Sequence, residues 1–444
     1  MFNQSYIQEL EEKLLNPKVD LSDLTAERQY EIIMAKVADM SEAVVTPEDL
    51  LERLKKSKQT GIPLKVKFGI DPTGPNIHIG HAVPLLRLRL FQRMGHQICI
   101  IIGDFTAMIG DPSGRMDDRP ALSEEDVKNN MATYEEQAAR VIDLKASSIK
   151  KHYNSAWMNQ IGMAQWIQIL KKVSLSSLLQ REDFRKRISN GFGLSLAEVE
   201  YALFMGYDSV VLKPDIEIGG LDQFLNMHMC RQMMAVHEQK PEIIVTNNIL
   251  AGTTGERDEA GRFVKMSKSR GNYIPVTAEP YDMYGKVMSI PDEVMWLWFR
   301  ELTEITSEEL SKLASGVQDG YLHPKQVKQL LARVVVGIFN YFDRQVILKA
   351  QADFDSKFGK NSSALPDNLK EIAGGQTKSL VTVFSEDLGL SKSELFRMAK
   401  QNGIKFFKNE EYFRFKEADL HLPSTDFIDF VFKVGKKVFV KIVS

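Results

Sequence analysis

LKVKFGIDPTGPNIHIGH, residues 64–81, decides how this chain is read. Leu64–Ile70 is a short apolar run of strand type, and it breaks into a Pro/Gly loop, DPTGPN. An apolar helical pattern follows as far as Met94, and HQICIIIGD (96–104) is a second continuous apolar run, as expected of a buried parallel strand. Strand, helix and strand within about 40 residues predict a βαβ unit with a right-handed crossover. The loop at 71–81 then lies at the carboxyl end of a strand, where open α/β sheets bind ligands. His78 and His81 fall three apart on one face of an incipient helix, and Gly80 between them lets a bulky group approach the backbone. Pro84 is expected in the first helical turn, which aims both imidazoles at an anion from the positive end of the helix.

The same pattern resumes downstream. DIEIGG (215–220), a helix from about 222, and EIIVTNNIL (242–250) extend the parallel sheet. The stretch from about 117 to 205 is mostly polar and helical and reads as an insertion. Residues 1–60 read as a helical extension, 61–280 as the Rossmann-type catalytic domain and 281–352 as a helical domain. The stretch 353–377 reads as a linker, and 378–444 as a small α+β domain ending in alternating strands. The expected fold class is α/β.

Bulk properties bound the function. The chain has 444 residues with 43% hydrophobic and 26% charged content, ordinary for a multidomain globular protein. A net charge of −2 means that any polyanion must be held by a local basic site. The two cysteines, Cys99 and Cys230, sit in apolar runs and are too few for a zinc cluster, so no metal site is expected. MFNQSYIQELEEKLL lacks the apolar core of a secretory signal, and no run approaches the ~20 apolar residues of a membrane span. A cytoplasmic location is expected.

Three further motifs carry chemistry. In IGDFTAMIGDPSGR (102–115), Asp104 and Asp111 are expected on one rim, suited to an ammonium group, though Asp-Pro-Ser-Gly is also ordinary turn chemistry. In EIGGLDQF (217–224), Asp222 can accept from ribose hydroxyls or cap a helix, and Gln223 can reach a polar substrate. In FVKMSKSRGNYIPV (263–276), Lys265 and Lys268 lie on a Gly/Ser-rich loop that cannot hold a helix. Such lysines can close over a polyphosphate and neutralise a leaving group.

HIGH at 78–81 and KMSKS at 265–269, in that order on an interrupted βαβ fold, resemble the two signatures of class I aminoacyl-tRNA synthetases. FGIDPTGPNIHIGH, IGDFTAMIGDPSG, YALFMGYDS and IGGLDQ together resemble the bacterial-type tyrosyl-tRNA synthetases, over about 60–350, and the tail from 378 resembles an S4-like RNA-binding domain. The resemblance implies ATP-dependent activation of L-tyrosine with Mg²⁺, transfer to tRNA(Tyr), and a homodimer built around the insertion.

Residue by residue, the resemblance implies that Asp71 and Thr73 line the ATP side and that His78 and His81 meet the phosphates. Gly80, Gly220, Asp222, Met266 and Ser267 would border the nucleotide, and Lys265 and Lys268 the pyrophosphate. Asp111 and Tyr201 would hold the α-amino group, Asp208 the phenol and Gln223 the carboxyl end. Met205 stands where the family usually has an ammonium-binding glutamine, Leu221 where a small hydroxyl or similar residue is usual, and Lys67 where the shorter branch has a phenol-contacting tyrosine. These departures raise the alternative of a paralogue with an altered pocket, activating a modified aromatic amino acid or resisting a tyrosine-like inhibitor. Other readings are a paralogue with an acceptor other than tRNA, a non-catalytic RNA-binding relic, and a tryptophanyl enzyme, which Asp208 disfavours because indole has no hydroxyl there. From 378 the tail carries 12 Lys/Arg against 9 Asp/Glu, so its expected RNA affinity is modest.

Overall fold

The computed structural model describes residues 4–38, 44–72, 74, 76–113, 123–179, 181–358, 369–373, 378–401, 403–408, 411–415, 417–428, 430–435 and 438–443. The chain divides into two compact units, Met1–Leu348 and Lys349–Ser444.

The first unit is organised by five parallel strands, β1 (Lys65–Ile70), β2 (Gln97–Ile102), β3 (Ile149–Tyr153), β4 (Ile216–Gly220) and β5 (Ile243–Asn247), in the order β3-β2-β1-β4-β5. β2, a central strand between layers, is almost wholly apolar and buried, and β5, at the sheet edge, is buried along its length. Successive connections run outward in opposite directions from β1, towards β2 and β3 on one side and β4 and β5 on the other. The switch point is therefore the crevice between the carboxyl ends of β1 and β4.

The helices of this unit are α1 (Gln4–Leu15), α2 (Ala26–Met34) and α3 (Pro47–Thr60), then α4 (Ile79–Arg93) between β1 and β2, and α5 (Glu124–Ala138) before β3. Between β3 and β4 come α6 (Ser155–Met158), α7 (Met163–Leu170), α8 (Leu175–Leu178), α9 (Glu182–Ser189) and α10 (Leu196–Leu212). α11 (Phe224–Val236) joins β4 to β5, and α12 (Pro280–Ser289), α13 (Asp292–Leu302), α14 (Ser307–Gln318) and α15 (Pro324–Phe339) form the helical part. Ile7, Leu10 and Leu14 on α1 and Met283, Trp298 and Phe299 on α12 and α13 are buried, while Met288 and Trp296 on the same two helices are half-buried. After α2 the chain covers the free edge of β5, where Ala38 N–H donates to Thr246 O at 2.9 Å and Val45 N–H to Ile244 O at 3.1 Å. An edge strand is thus shielded from pairing with another chain.

Three expectations are corrected. The stretch 117–205 is not only helical, because β3 lies inside it and forms the sheet edge. Its sequence IKKHY buries only Ile149 and leaves both lysines in solvent, so no apolar run announces it. Pro84 occupies the sixth position of α4 rather than the first turn, which denies the Gly80 carbonyl its usual i+4 donor. The stretch 353–377, expected as a linker, begins inside the helix α16 (Arg344–Phe358) and contains the strand β6 (Lys370–Ala373).

In the second unit, α17 (Leu380–Leu388) and α18 (Lys392–Lys400) accompany a mixed sheet of β6, β7 (Ile404–Lys408), β8 (Glu411–Arg414), β9 (Val431–Val434) and β10 (Val438–Val443), ordered β6-β10-β9-β7-β8. Its core gathers Phe384, Leu395, Ile404, Phe415, Phe432 and Val440, all fully buried.

Candidate active site

A cavity of about 610 Å³ opens at the switch point. Its walls include Asp71, His78, Gly80, His81, Asp111, Tyr201, Met205, Asp208, Gly220, Asp222, Gln223, Lys265, Met266, Ser267 and Lys268. Fifteen residues singled out from five separated stretches of sequence thus face one space. Thr73 lies outside the described residues. Lys67 does not line the cavity and is wholly buried beneath it.

Two backbone bonds fasten the HIGH segment to the chain that leaves the lysine loop. Ile79 N–H donates to Ile274 O, and Val276 N–H donates to Ile77 O, each at 3.0 Å. The two signatures, nearly two hundred residues apart, are therefore neighbours by construction. The loop itself is clasped by buried Asn272: its Oδ1 accepts from Ser267 N–H at 2.8 Å and its Nδ2 donates to Lys265 O at 3.3 Å. Met266 is buried as the loop's apolar anchor. It approaches Gly80 so closely that a Cβ there would lie 3.5 Å from Met266 Cβ and 3.0 Å from His78 Nδ1. Lys265 Nζ stands 3.7 Å from Asp222 Oδ2. Asp222 lies in a short 3₁₀ turn ahead of α11 rather than at the α11 cap, which leaves its carboxylate available to the cavity.

The two imidazoles are stacked, with ring centroids 3.7 Å apart. Burial pushes His78 down to about 3, helped by His81 and Lys268. Burial followed by Lys268 and Lys265 pushes His81 down to about 4. Both rings are neutral near pH 7, so each can offer a phosphate an N–H and no full charge. His78 Nδ1 is buried without a partner. The positive charge at this end comes from the lysines.

The opposite end of the cavity is acidic and amide-rich. Tyr201 Oη donates to Asp71 Oδ2 at 2.8 Å, and Thr106 Oγ1 donates to Asp71 Oδ1 at 2.7 Å. Gln223 Nε2 donates to Asp111 Oδ2 at 2.7 Å. Buried Asn226 donates to Gln223 Oε1 at 2.9 Å and to Ser113 Oγ at 3.0 Å, and it accepts from Arg181 at 2.6 Å. Asp208 is buried on α10. It accepts from Trp157 Nε1 at 2.8 Å and, at 3.5 Å, from Asn154 Nδ2. Burial raises its carboxyl to about 7, against the opposing pull of Lys67.

Sequence reasoning missed Thr106, Asn154, Trp157, Arg181, Asn226 and the clasp by Asn272. Asn154, Trp157, Arg181 and Asn226 lie outside the quoted motifs, and Thr106 and Asn272 lie inside them without a distinguishing chemistry. Asp104 departs from expectation: it turns away from this rim and accepts from Ser155 N–H and Oγ at 2.9 and 2.5 Å.

A parallel sheet with a cleft at its switch point, two neutral histidines at a helix start and a lysine loop over them define a class I aminoacyl-tRNA synthetase. The family model for class I tRNA synthetases (W and Y) matches residues 58–353, and this chain belongs to that family. The tyrosine–tRNA ligase of Haemophilus ducreyi is 38% identical over 416 residues, covering 94% of this chain and 99% of that protein. Tyrosine–tRNA ligase 2 of Vibrio parahaemolyticus is 37% identical, with 93% and 98% covered. Among solved structures, a C-terminally truncated mitochondrial tyrosyl-tRNA synthetase of Aspergillus nidulans aligns with a TM-score of 0.57 at 18% identity, covering 80% of this chain and 98% of that one. The tyrosyl-tRNA synthetase of Archaeoglobus fulgidus complexed with L-tyrosine gives 0.55 at 19% identity, covering 72% and 99%.

Proposed function

We propose that this chain is a tyrosine–tRNA ligase, which activates L-tyrosine with ATP and transfers it to tRNA(Tyr). The observation that carries the reading is Asp208, a buried carboxyl group that lines the same cavity as the histidines and lysines. The relatives that span nearly the whole chain bear the same activity in their names.

The cavity's charge gradient suits a zwitterion. Asp71, expected on the ATP side, is bonded to Tyr201 instead, so the ammonium would meet Asp111 and the Tyr201–Asp71 pair, leaving the carboxylate to face the lysines. The phenol O–H would donate to Asp208, and phenylalanine would leave that acceptor buried and unpaired. The handling of tyrosine against phenylalanine by this enzyme family, roughly 10⁵, is a general reference case for such rejection. Met205 lines the wall where an amide is usual, and Gln223, held onto Asp111 and Asn226, lines the same cavity.

ATP would enter from the opposite mouth, its ribose on Asp222 and its phosphates beside Gly80, where a side chain would collide with His78. A carboxylate oxygen of tyrosine attacks the α-phosphorus, the bond to the bridging oxygen breaks, and pyrophosphate departs with the electron pair. His78 and His81 would hold the transferring phosphate by N–H donation, and Lys265 and Lys268 would neutralise the leaving group. Magnesium would arrive on the ATP phosphates as part of that substrate. The terminal ribose hydroxyl of tRNA then attacks the acyl carbon and expels AMP. Positioning and charge neutralisation account for both steps without a protein nucleophile.

A homodimer and a cytoplasmic setting complete the proposal, and no helix among the described residues is long and apolar enough to cross a membrane. Pyrophosphate exchange across a panel of amino acids, followed by charging of tRNA, tests it. Exchange with tyrosine and not phenylalanine is expected. Exchange with a modified aromatic acid alone, or none at all, would overturn it.

A further inference from the structure

Beneath Asp208 lies a charged cluster that the chemistry above does not use. Lys67 Nζ from β1 is 2.7 Å from Glu217 Oε1 on β4 and 3.5 Å from Glu242 Oε1 just before β5. It also donates to Ser209 Oγ, whose hydroxyl donates to Glu242 Oε1 at 2.8 Å. Cys230 Sγ on α11 closes the shell 3.6 Å from the ammonium. All five side chains are essentially without solvent contact. Glu217, Cys230 and Glu242 could together ligate a cation, and the Lys67 ammonium takes that place.

Two carboxylates around one ammonium leave one negative charge too many for a dry interior. Both Glu217 Oε2 and Glu242 Oε2 are buried with no donor. A proton on Glu242 would supply a missing donor and neutralise the cluster. Burial, then Glu217, hold Glu242 well above the ordinary carboxylate range, in keeping with that proton.

We infer that Lys67, held by Glu217, Glu242 and Ser209, is a positioning residue that keeps its neighbour Asp208 an ionised acceptor for the substrate phenol. The inference rests on the tyrosine reading of the site and deepens it. Ser209 is the link, because it follows Asp208 directly on α10 and takes the Lys67 hydrogen bond. The other groups acting on Asp208 are Trp157 and Asn154, which donate to it, and Asp71, which opposes its charge. Lys67 is the cation against Asp71 and burial. Were both glutamates ionised, the cluster would be net negative and would drive a proton onto Asp208 instead.

The test is the pH dependence of KM and kcat for tyrosine in pyrophosphate exchange, with K67M, K67R and, should K67M fail to fold, the neutral triple variant K67M/E217Q/E242Q. In the wild type, KM is expected to rise as pH falls through about 7, the value at which Asp208 takes up its proton. Loss of the Lys67 charge moves that limb upward by about a pH unit or more, raises KM at pH 7.5 about threefold or more and leaves kcat unchanged within about twofold. K67R restores the profile. Difference infrared spectra, using D208N to assign the protonated carboxyl band, follow the same group without turnover. A folded K67M or triple variant with the wild-type KM profile, or with KM and kcat impaired equally at every pH, overturns the inference. A wild type that activates no tyrosine overturns the functional reading instead.

Discussion

The backbone N–H of Ile79 donates to the carbonyl of Ile274 at 3.0 Å, and this bond seats the lysine loop over the start of α4. It is a main-chain contact, so side-chain substitution in the loop can remove charge without moving the loop's downstream anchor.

Lys268→Gln is therefore expected to slow adenylate formation while sparing tyrosine binding. Loss of one donor to a developing anion typically costs about 10²–10³ in kcat. Rapid-quench measurement of pyrophosphate release with saturating tyrosine checks this, with KM for tyrosine expected within about twofold of wild type.

Gly252→Ala tests the Asn272 clasp. A Cβ at 252 would lie 2.1 Å from Asn272 Nδ2 and 2.5 Å from its Cγ, so Asn272 must leave its place. The loop then loses its bonds to Ser267 and Lys265. A fall in exchange kcat of about tenfold or more is expected, with tyrosine affinity by equilibrium dialysis unchanged.

Asp208→Asn replaces the proposed phenol acceptor with an amide that Trp157 and Asn154 can still hold by its oxygen. A hydrogen bond to a charged group contributes about 1.5–3 kcal/mol, so KM for tyrosine should rise about 10- to 100-fold. Selectivity over phenylalanine should fall by a similar factor, read as the ratio of kcat/KM values in exchange assays.

Acid sensitivity follows from the histidines. Burial depresses His78 to about 3 and His81 and His96 to about 4, against 6.5 for the free side chain. Below 6.5 the unfolded chain takes up protons that the folded chain refuses. Stability from these groups is complete above about pH 6.5 and is lost as pH falls towards 4. Urea midpoints at pH 7.5 and 5.0 should differ, with the lower value at pH 5.0. His96→Asn should shrink that difference, since His96 Nδ1 accepts from Leu64 N–H at 3.3 Å and an amide oxygen can do the same.

The sheet was legible where burial on both faces demands apolar runs, as in β2 and β5. It was hidden at β3, whose edge position lets lysines occupy a strand. The site was legible where chemistry restricts residue choice: histidines flanking a glycine, lysines on a loop that cannot form a helix, and Asp208 through resemblance. Its supporting polar shell was not, because Asn154 and Trp157 reach Asp208, and Asn226 reaches Ser113, across more than 50 residues of sequence. Lys67 was misplaced for a related reason. A lysine in a strand gives no sign in sequence that two glutamates from neighbouring strands will bury it below the pocket.

A crystal structure of the chain with a non-hydrolysable tyrosyl-adenylate analogue tests the central claim most directly. The account predicts the phenol within hydrogen-bonding distance of Asp208, the ribose on Asp222, and the phosphate surrogate between the His78–His81 pair and Lys268. A ligand bound with its ring away from Asp208, or with its phosphate surrogate out of reach of both signatures, would contradict it.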